Sequence, residues 1–226
     1  MRNRRVRPGR LSVTAVLAAV LLVAPTTTAT ATDQHHTATT AAHQRHTPAT
    51  TAGRHHAPVA AVTGALAAAQ RLNISMQAQQ KTNWCWAASG NTIATWFGRN
   101  YSQNQFCNAA FGRAQGYECP NSQASLGNVQ DGLSWAGITP GSYVTGWLRY
   151  PTVQTEIAAG RPVETRIQWA SGGGHMHVLY GYDDANSWVY WGDPWPSSNR
   201  YNWASHAWYV NNGEFSWTHS LYRIGA

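Results

Sequence analysis

Charge is scarce in this sequence: Asp, Glu, Lys and Arg make up 11% of its 226 residues, and only nine are acidic. The formal net charge of +7 and the pI near 9.7 would fit a polyanionic partner. The excess, however, sits in the first part of the chain, since residues 71–226 carry nine Lys and Arg against eight Asp and Glu. That near-neutral balance leaves no electrostatic argument for nucleic acid. A long apolar run is also missing, because the stretch from Leu11 to Ala24 is too short to span a bilayer well. Cysteine is rarer still: there are three, so if two pair, one thiol remains free.

The short apolar run follows Arg2, Arg4, Arg5, Arg7 and Arg10 and precedes Ala29-Thr30-Ala31, an A-x-A cleavage pattern. Together these read as a secretory signal over residues 1–31, which implies a secreted, extracellular protein. Residues 32–70 are Thr, Ala, His, Gln and Pro with few large apolar side chains, a composition that cannot offset the entropy of ordering. The stretch is expected to be a linker or propeptide. It holds six of the ten histidines, but as a solvated spacer it needs no metal. Residues 71–226 then form one domain, of a size at which a single hydrophobic core is normal. All twelve tryptophans lie there, as large core anchors or as a carbohydrate-binding surface.

Cys107 and Cys119 lie twelve apart in a segment rich in Gly and Asn, which is read as flexible enough to close a disulfide. Such a loop would contribute roughly 3 kcal/mol in the chain-entropy model, less any strain. Cys85 lies between two tryptophans in an apolar run and is expected to stay free. An unpaired thiol exported to an oxidising compartment asks for a chemical reason.

From Thr82 to Phe97 the residues TNWCWAASGNTIATWF, followed by Gly98, predict a helix with Cys85 in its first turn. There the free backbone N–H groups and the positive end of the helix dipole favour a thiolate. Gly90 weakens this helix by about 1 kcal/mol relative to alanine. Further helices are predicted over Leu126–Trp135 and Thr152–Ala159. Val163 to Trp169 alternates as a half-buried strand, with Val163, Thr165, Ile167 and Trp169 on one face. Residues 175–182 and 187–193 predict a hairpin about Asp183-Asp184-Ala185-Asn186, and Trp203–Val210 with Phe215–Tyr222 a second about Asn211-Asn212-Gly213. Helices followed by antiparallel strands imply an α+β domain of two lobes with a cleft between them.

A cysteine hydrolase needs a thiolate, an imidazole within reach, a group that orients the imidazole, and donors for the oxyanion. Cys85 supplies the thiol, and Gln79, six residues earlier, an amide donor that joins the Cys85 backbone N–H. QQKTNWCWAAS resembles the glutamine-to-cysteine segment of papain-like cysteine peptidases. The resemblance is to the bacterial branch that includes bacteriocin-processing peptidases and secreted effector peptidases of plant pathogens. GGGHMHVLYGYDD resembles that family's histidine strand, with His175 six residues before Gly181-Tyr182. WGDPW resembles the third element, with Asp193 as the orienting group.

The resemblance runs from about Met76 to Trp195. It implies a papain-like two-lobed fold, with a helical lobe carrying the nucleophile and an antiparallel β-lobe carrying His and Asp. It also implies a Cys85-His175-Asp193 triad, a thioester intermediate, a protein or peptide substrate, and no cofactor or metal. Thr82-Asn83-Trp84 before the nucleophile departs from the Cys-Gly of plant-type members and places the chain outside that branch. No nucleic-acid partner is expected, and no stable membrane association once the signal is removed.

Other readings compete. His175 and His177 share a strand face, so an H-x-H zinc pair completed by Asp193 or Cys85 is available. A peptidoglycan amidase or an acyltransferase of the same fold would use the same residues. A non-catalytic Trp-rich binding module would use none of them.

Overall fold

The structure, a computed structural model, describes residues 66–226. The expected signal and nearly all of the expected linker lie outside the described residues. The first strand, β1 (Ala69–Arg71), straddles the boundary expected at residue 70.

Three helices form one lobe: α1 (Cys85–Trp96), α2 (Gln103–Ala110) and α3 (Leu126–Trp135). Each of the last two opens on a reciprocal cap. In α2, Ser102 Oγ accepts from the Gln105 N–H while the Gln105 side chain accepts from the Ser102 N–H; Ser125 and Asn128 repeat the arrangement in α3. The α2 helix lies in the region read from sequence only as a flexible, disulfide-closing segment. Ser102-x-x-Gln105 is the signal that marks it. Phe106 of α2 is fully buried against α1 and α3. A Cβ on Gly90 or on Gly132 would stand 2.6 Å from its ring. The helix propensity lost at Gly90 thus allows close packing of the three helices on one aromatic ring.

The second lobe is an antiparallel sheet. Its strands are β2 (Ser142–Thr145), β3 (Val163–Trp169), β4 (Gly174–Asp183), β5 (Trp188–Gly192), β6 (Tyr201–Ser205) and β7 (Phe215–Tyr222). They lie in the order β2-β7-β3-β4-β5-β6, with β1 paired to the far end of β4. Helix α4 (Tyr150–Ala158), with Pro151 in its first turn, starts two residues before its expected N-terminus. The α1 helix packs on the sheet beside β4, and Ser89 Oγ donates to the Met176 carbonyl at 3.4 Å. This is the expected α+β, two-lobed arrangement.

Three expectations need correction. The Trp203–Val210 strand ends at Ser205, whose hydroxyl caps a short helix, α5 (His206–Val210), and β6 pairs with β5 instead of β7. His206 and Tyr209 are the buried residues of α5, a spacing of three that belongs to a helix turn. The alternation in β3 also fails at Glu164, which is fully buried on the face expected to be wet. Lastly, the β4–β5 hairpin starts at Asp183↔Trp188 and shifts by one residue between Leu179 and Gly181. A bulge at Tyr180 therefore sets the register toward the site.

Candidate active site

Cys85 is the first residue of α1 and is half-buried. Its position is fixed by its neighbours. Trp84 and Trp86 are each 1% exposed, and their indole N–H groups donate to the carbonyls of Pro120 and Ser122 at 2.9 and 3.0 Å. Asn83 donates two hydrogen bonds to Asn121, from its backbone N–H to Oδ1 and from Nδ2 to the carbonyl, and Lys81 Nζ donates to the Cys119 carbonyl at 2.7 Å. The segment that receives all these bonds is tied to α2 by the Cys107–Cys119 disulfide. The nucleophile loop is thus held to a covalently anchored strip of chain.

His175 lies near the start of β4 and Asp193 just past the end of β5. His175 Nε2 and Asp193 Oδ1 are 2.7 Å apart, and both residues are buried. Cys85 lines the same cleft as His175 and contributes to the rise of its pKa. Because Nε2 faces Asp193, Nδ1 is the nitrogen left for the thiol. Asp193 Oδ1 accepts the Trp195 N–H at 2.8 Å, and Arg200 both donates to the Asp193 carbonyl and accepts its N–H through the Arg200 carbonyl. The imidazole is stacked on Trp169 at 5.8 Å and meets Trp195 edge-on at 6.3 Å. Neither contact was foreseen from sequence, where nothing in the local pattern points to them.

The two histidines differ in charge. Burial pulls His175 down, but the hydrogen bond to Asp193 and the proximity of Cys85 outweigh it and push its pKa up to about 9. Burial dominates at His177 and lowers its pKa. Its Nδ1 meets the Tyr209 hydroxyl at 3.1 Å, while Nε2 has no hydrogen-bond partner and stands 3.7 Å from Asp193 Oδ2. Burial opposes ionisation of Asp193, yet the hydrogen bond with His175 and the proximity of His177 hold it well below the usual carboxylate range. Two like groups with opposed environments are the usual mark of separate roles.

Potential ligand atoms of His175, His177 and Asp193 lie within 4.8 Å of one another, so the H-x-H zinc reading has its three groups together. A cysteine-hydrolase reading uses two of them differently: His175 is bonded to Asp193 and lines the cleft with Cys85, leaving His177 to one side. Gln79 is 5% exposed and sits in the loop before the nucleophile. Its Nε2 donates to the carbonyls of Lys81 and Thr82 at 2.9 and 2.8 Å, its backbone N–H donates to the Pro194 carbonyl, and Oε1 has no partner. The cleft itself encloses about 350 Å³ and is lined by Cys85, Trp86, Arg166, Trp169, His175 and Trp195, among others.

Beneath the site, neither Glu164 carboxyl oxygen has a partner. Burial, and secondarily the charge of Cys85, pushes its pKa well up. The folded form therefore keeps a proton that the unfolded form releases above its ordinary range, so stability falls as pH rises through that interval. Glu164→Gln, which has no proton to lose, is expected to melt about 3 °C or more above the parent at about pH 8, with the difference vanishing near about pH 4. Equal melting differences at the two pH values, read by calorimetry, would show that Glu164 is not the linked group.

A cleft with a thiol at a helix start, an imidazole across from it and a carboxylate behind the imidazole is the site of a cysteine peptidase. A family model described as the papain-like cysteine protease AvrRpt2 matches residues 68–214, and the chain belongs to that family. Xylellain, a cysteine protease from Xylella fastidiosa, is a structural neighbour at 14% identity, covering 70% of this chain and 86% of its own, with a TM-score of 0.47. No curated protein matches the chain. The protein is a papain-like cysteine peptidase, a hydrolase that acts on protein or peptide.

Proposed function

We propose that the protein is a secreted endopeptidase in which Cys85, His175 and Asp193 act as nucleophile, general acid–base and orienting carboxylate. The observation that carries this reading is the His175–Asp193 hydrogen bond at 2.7 Å in the cleft that Cys85 also lines. The Cys85 thiol gives its proton to His175, and the sulfur attacks the peptide carbonyl carbon. The resulting oxyanion is met by the Cys85 N–H at the helix start and by the Gln79 amide, which turns from the Lys81 and Thr82 carbonyls as substrate binds. Such catalytic hydrogen bonds often tighten only with substrate present. The imidazolium then protonates the leaving amine as the C–N bond breaks, leaving a thioester. Water adds next, giving a proton to His175, and the thiol leaves with that proton restored. Asp193 keeps Nε2–H in place throughout and stabilises the imidazolium. Export is supported by the basic-then-apolar start of the chain and by its A-x-A pattern.

The test is hydrolysis of denatured casein by the purified protein, beside release of stem peptides from purified peptidoglycan. Casein cleavage blocked by E-64 or iodoacetamide is expected. Peptidoglycan release with casein left intact would replace the endopeptidase by an amidase of the same chemistry. Loss of casein cleavage on chelation, restored by zinc, would favour the H-x-H metal site instead.

A further inference from the structure

Arg166 is a charged cleft residue that the peptidase chemistry does not use. It lies on β3 and lines the same cleft as Cys85 and His175. Among the described residues it makes no ion pair. Its guanidinium is held by neutral acceptors, Thr218 Oγ1 at 2.9 Å and Gln168 Oε1 at 3.2 Å. Those two bonds fix the fork from Nη1 and Nη2 and leave further N–H groups free to donate. The other titratable cleft groups are Cys85, His175 and Asp193, all taken up by the proposed chemistry.

The chain makes room for this arrangement. A Cβ on Gly174 would stand 2.6 Å from Arg166 Nη2 and 2.9 Å from Cζ, so the guanidinium lies flat against the residue that precedes His175. Glu164, two residues earlier on β3, is buried without any bond to it. His219, the cross-strand partner of Arg166 on β7, is lowered in pKa by burial and by this positive charge, and an imidazole carries no negative charge in either form. A cation fixed by neutral groups next to the catalytic histidine is preorganised for an anion that arrives with the substrate.

We propose that Arg166 is a specificity-determining residue that selects substrates carrying a carboxylate side chain, Asp or Glu, within a few residues of the scissile bond. The proposal rests on the reading of Cys85 and His175 as the reacting pair, because proximity to that pair is what puts Arg166 beside the scissile bond. A charge-assisted, bidentate contact in a half-buried cleft is expected to favour Glu over Gln by about tenfold in kcat/KM. Raising the salt concentration should narrow that ratio without abolishing it.

The experiment is a positional set of fluorogenic peptides, matched in pairs with Glu or Gln at each position flanking the cleavage point. The parent enzyme is expected to show the preference at one position. In Arg166→Met the Glu-to-Gln ratio at that position falls to about one, and in Arg166→Glu the position prefers Lys over Gln. The readout is a ratio within each enzyme, so a general loss of turnover does not obscure it. The parent alone decides the matter if neither variant folds. Equal cleavage of Glu and Gln peptides by the parent, or a preference that survives Arg166→Met, overturns the assignment while leaving the Cys85 chemistry standing. Failure to cleave any peptide in the set overturns both.

Discussion

Cys85→Ala is expected to fold as the parent does and to hydrolyse nothing measurable. Cys85 is half-buried at the first position of α1, where its side chain faces the cleft, and the core is built by the flanking indoles of Trp84 and Trp86. Alanine is the best helix former, so removal of the sulfur leaves α1 intact and creates no internal cavity. The change in stability should stay within about 1 kcal/mol. The chemical effect is of a different order, because without the sulfur there is no thioester and no first step. Removal of the nucleophile in a comparable triad costs about a millionfold in kcat, with only oxyanion and binding effects remaining. Casein turnover and thermal melting, measured on the same preparation, check both halves. Residual turnover above about 1% would end the role of Cys85 as nucleophile.

The stability half of that expectation depends on features that the sequence carried unevenly. The end of α1 was legible because Gly98 breaks the helix locally, whereas its start, expected at Thr82, falls at Cys85 behind Trp84, which makes no side-chain cap bond; Leu126–Trp135 was predicted with the bounds observed. The α2 helix was passed over because Gly and Asn in the following loop masked the Ser102-x-x-Gln105 cap. Trp203–Val210 was mistaken for a strand because aromatic residues favour strands, whereas its spacing of buried residues is that of a helix turn. Glu164 could not be read at all. A buried, unpaired carboxyl violates the rule by which charged residues alternate outward, and only the packing of the folded chain around the sheet shows where it goes. The residues proposed for chemistry at 85, 175 and 193 were selected by order and motif, and the fold brings all three to one cleft. The aromatic walls come from the end of β3 at Trp169 and from the loop after β5 at Trp195, and no local pattern connects them to His175.

His175→Ala is expected to lower kcat/KM by at least about a hundredfold, the lower range for loss of general acid–base catalysis. The register of the hairpin does not make this choice. After the bulge at Tyr180, Leu179 pairs with Trp191 and Val178 with Gly192, and continuation of that ladder would set His177, not His175, across from Asp193. The ladder ends there, however, and the Asp193 carboxylate reaches His175 at 2.7 Å while standing 3.7 Å from His177. His175 alone of the two lines the cleft with Cys85, whereas His177 is 2% exposed with its ring on Tyr209. His177→Ala should therefore melt lower than the parent yet lose less than about tenfold in kcat/KM, since the Asp193–His175 pair beside Cys85 survives.

The pH profile separates a proton-transfer role from a structural one. With the pKa of His175 pushed up to about 9, the imidazolium needed to protonate the leaving amine persists through neutral pH, and kcat/KM falls as pH rises past that value. The stability that His175 draws from Asp193 is fully present below the ordinary imidazole range and is lost over the same alkaline interval. Asp193→Asn removes the anion that supports the raised value while keeping a hydrogen-bond acceptor, so the alkaline limb should move to lower pH. His177→Ala should leave the limb near its parent position. Equal folding of the two histidine variants with the larger kinetic loss at His177, or an alkaline limb that moves with His177 instead of Asp193, would reverse the assignment.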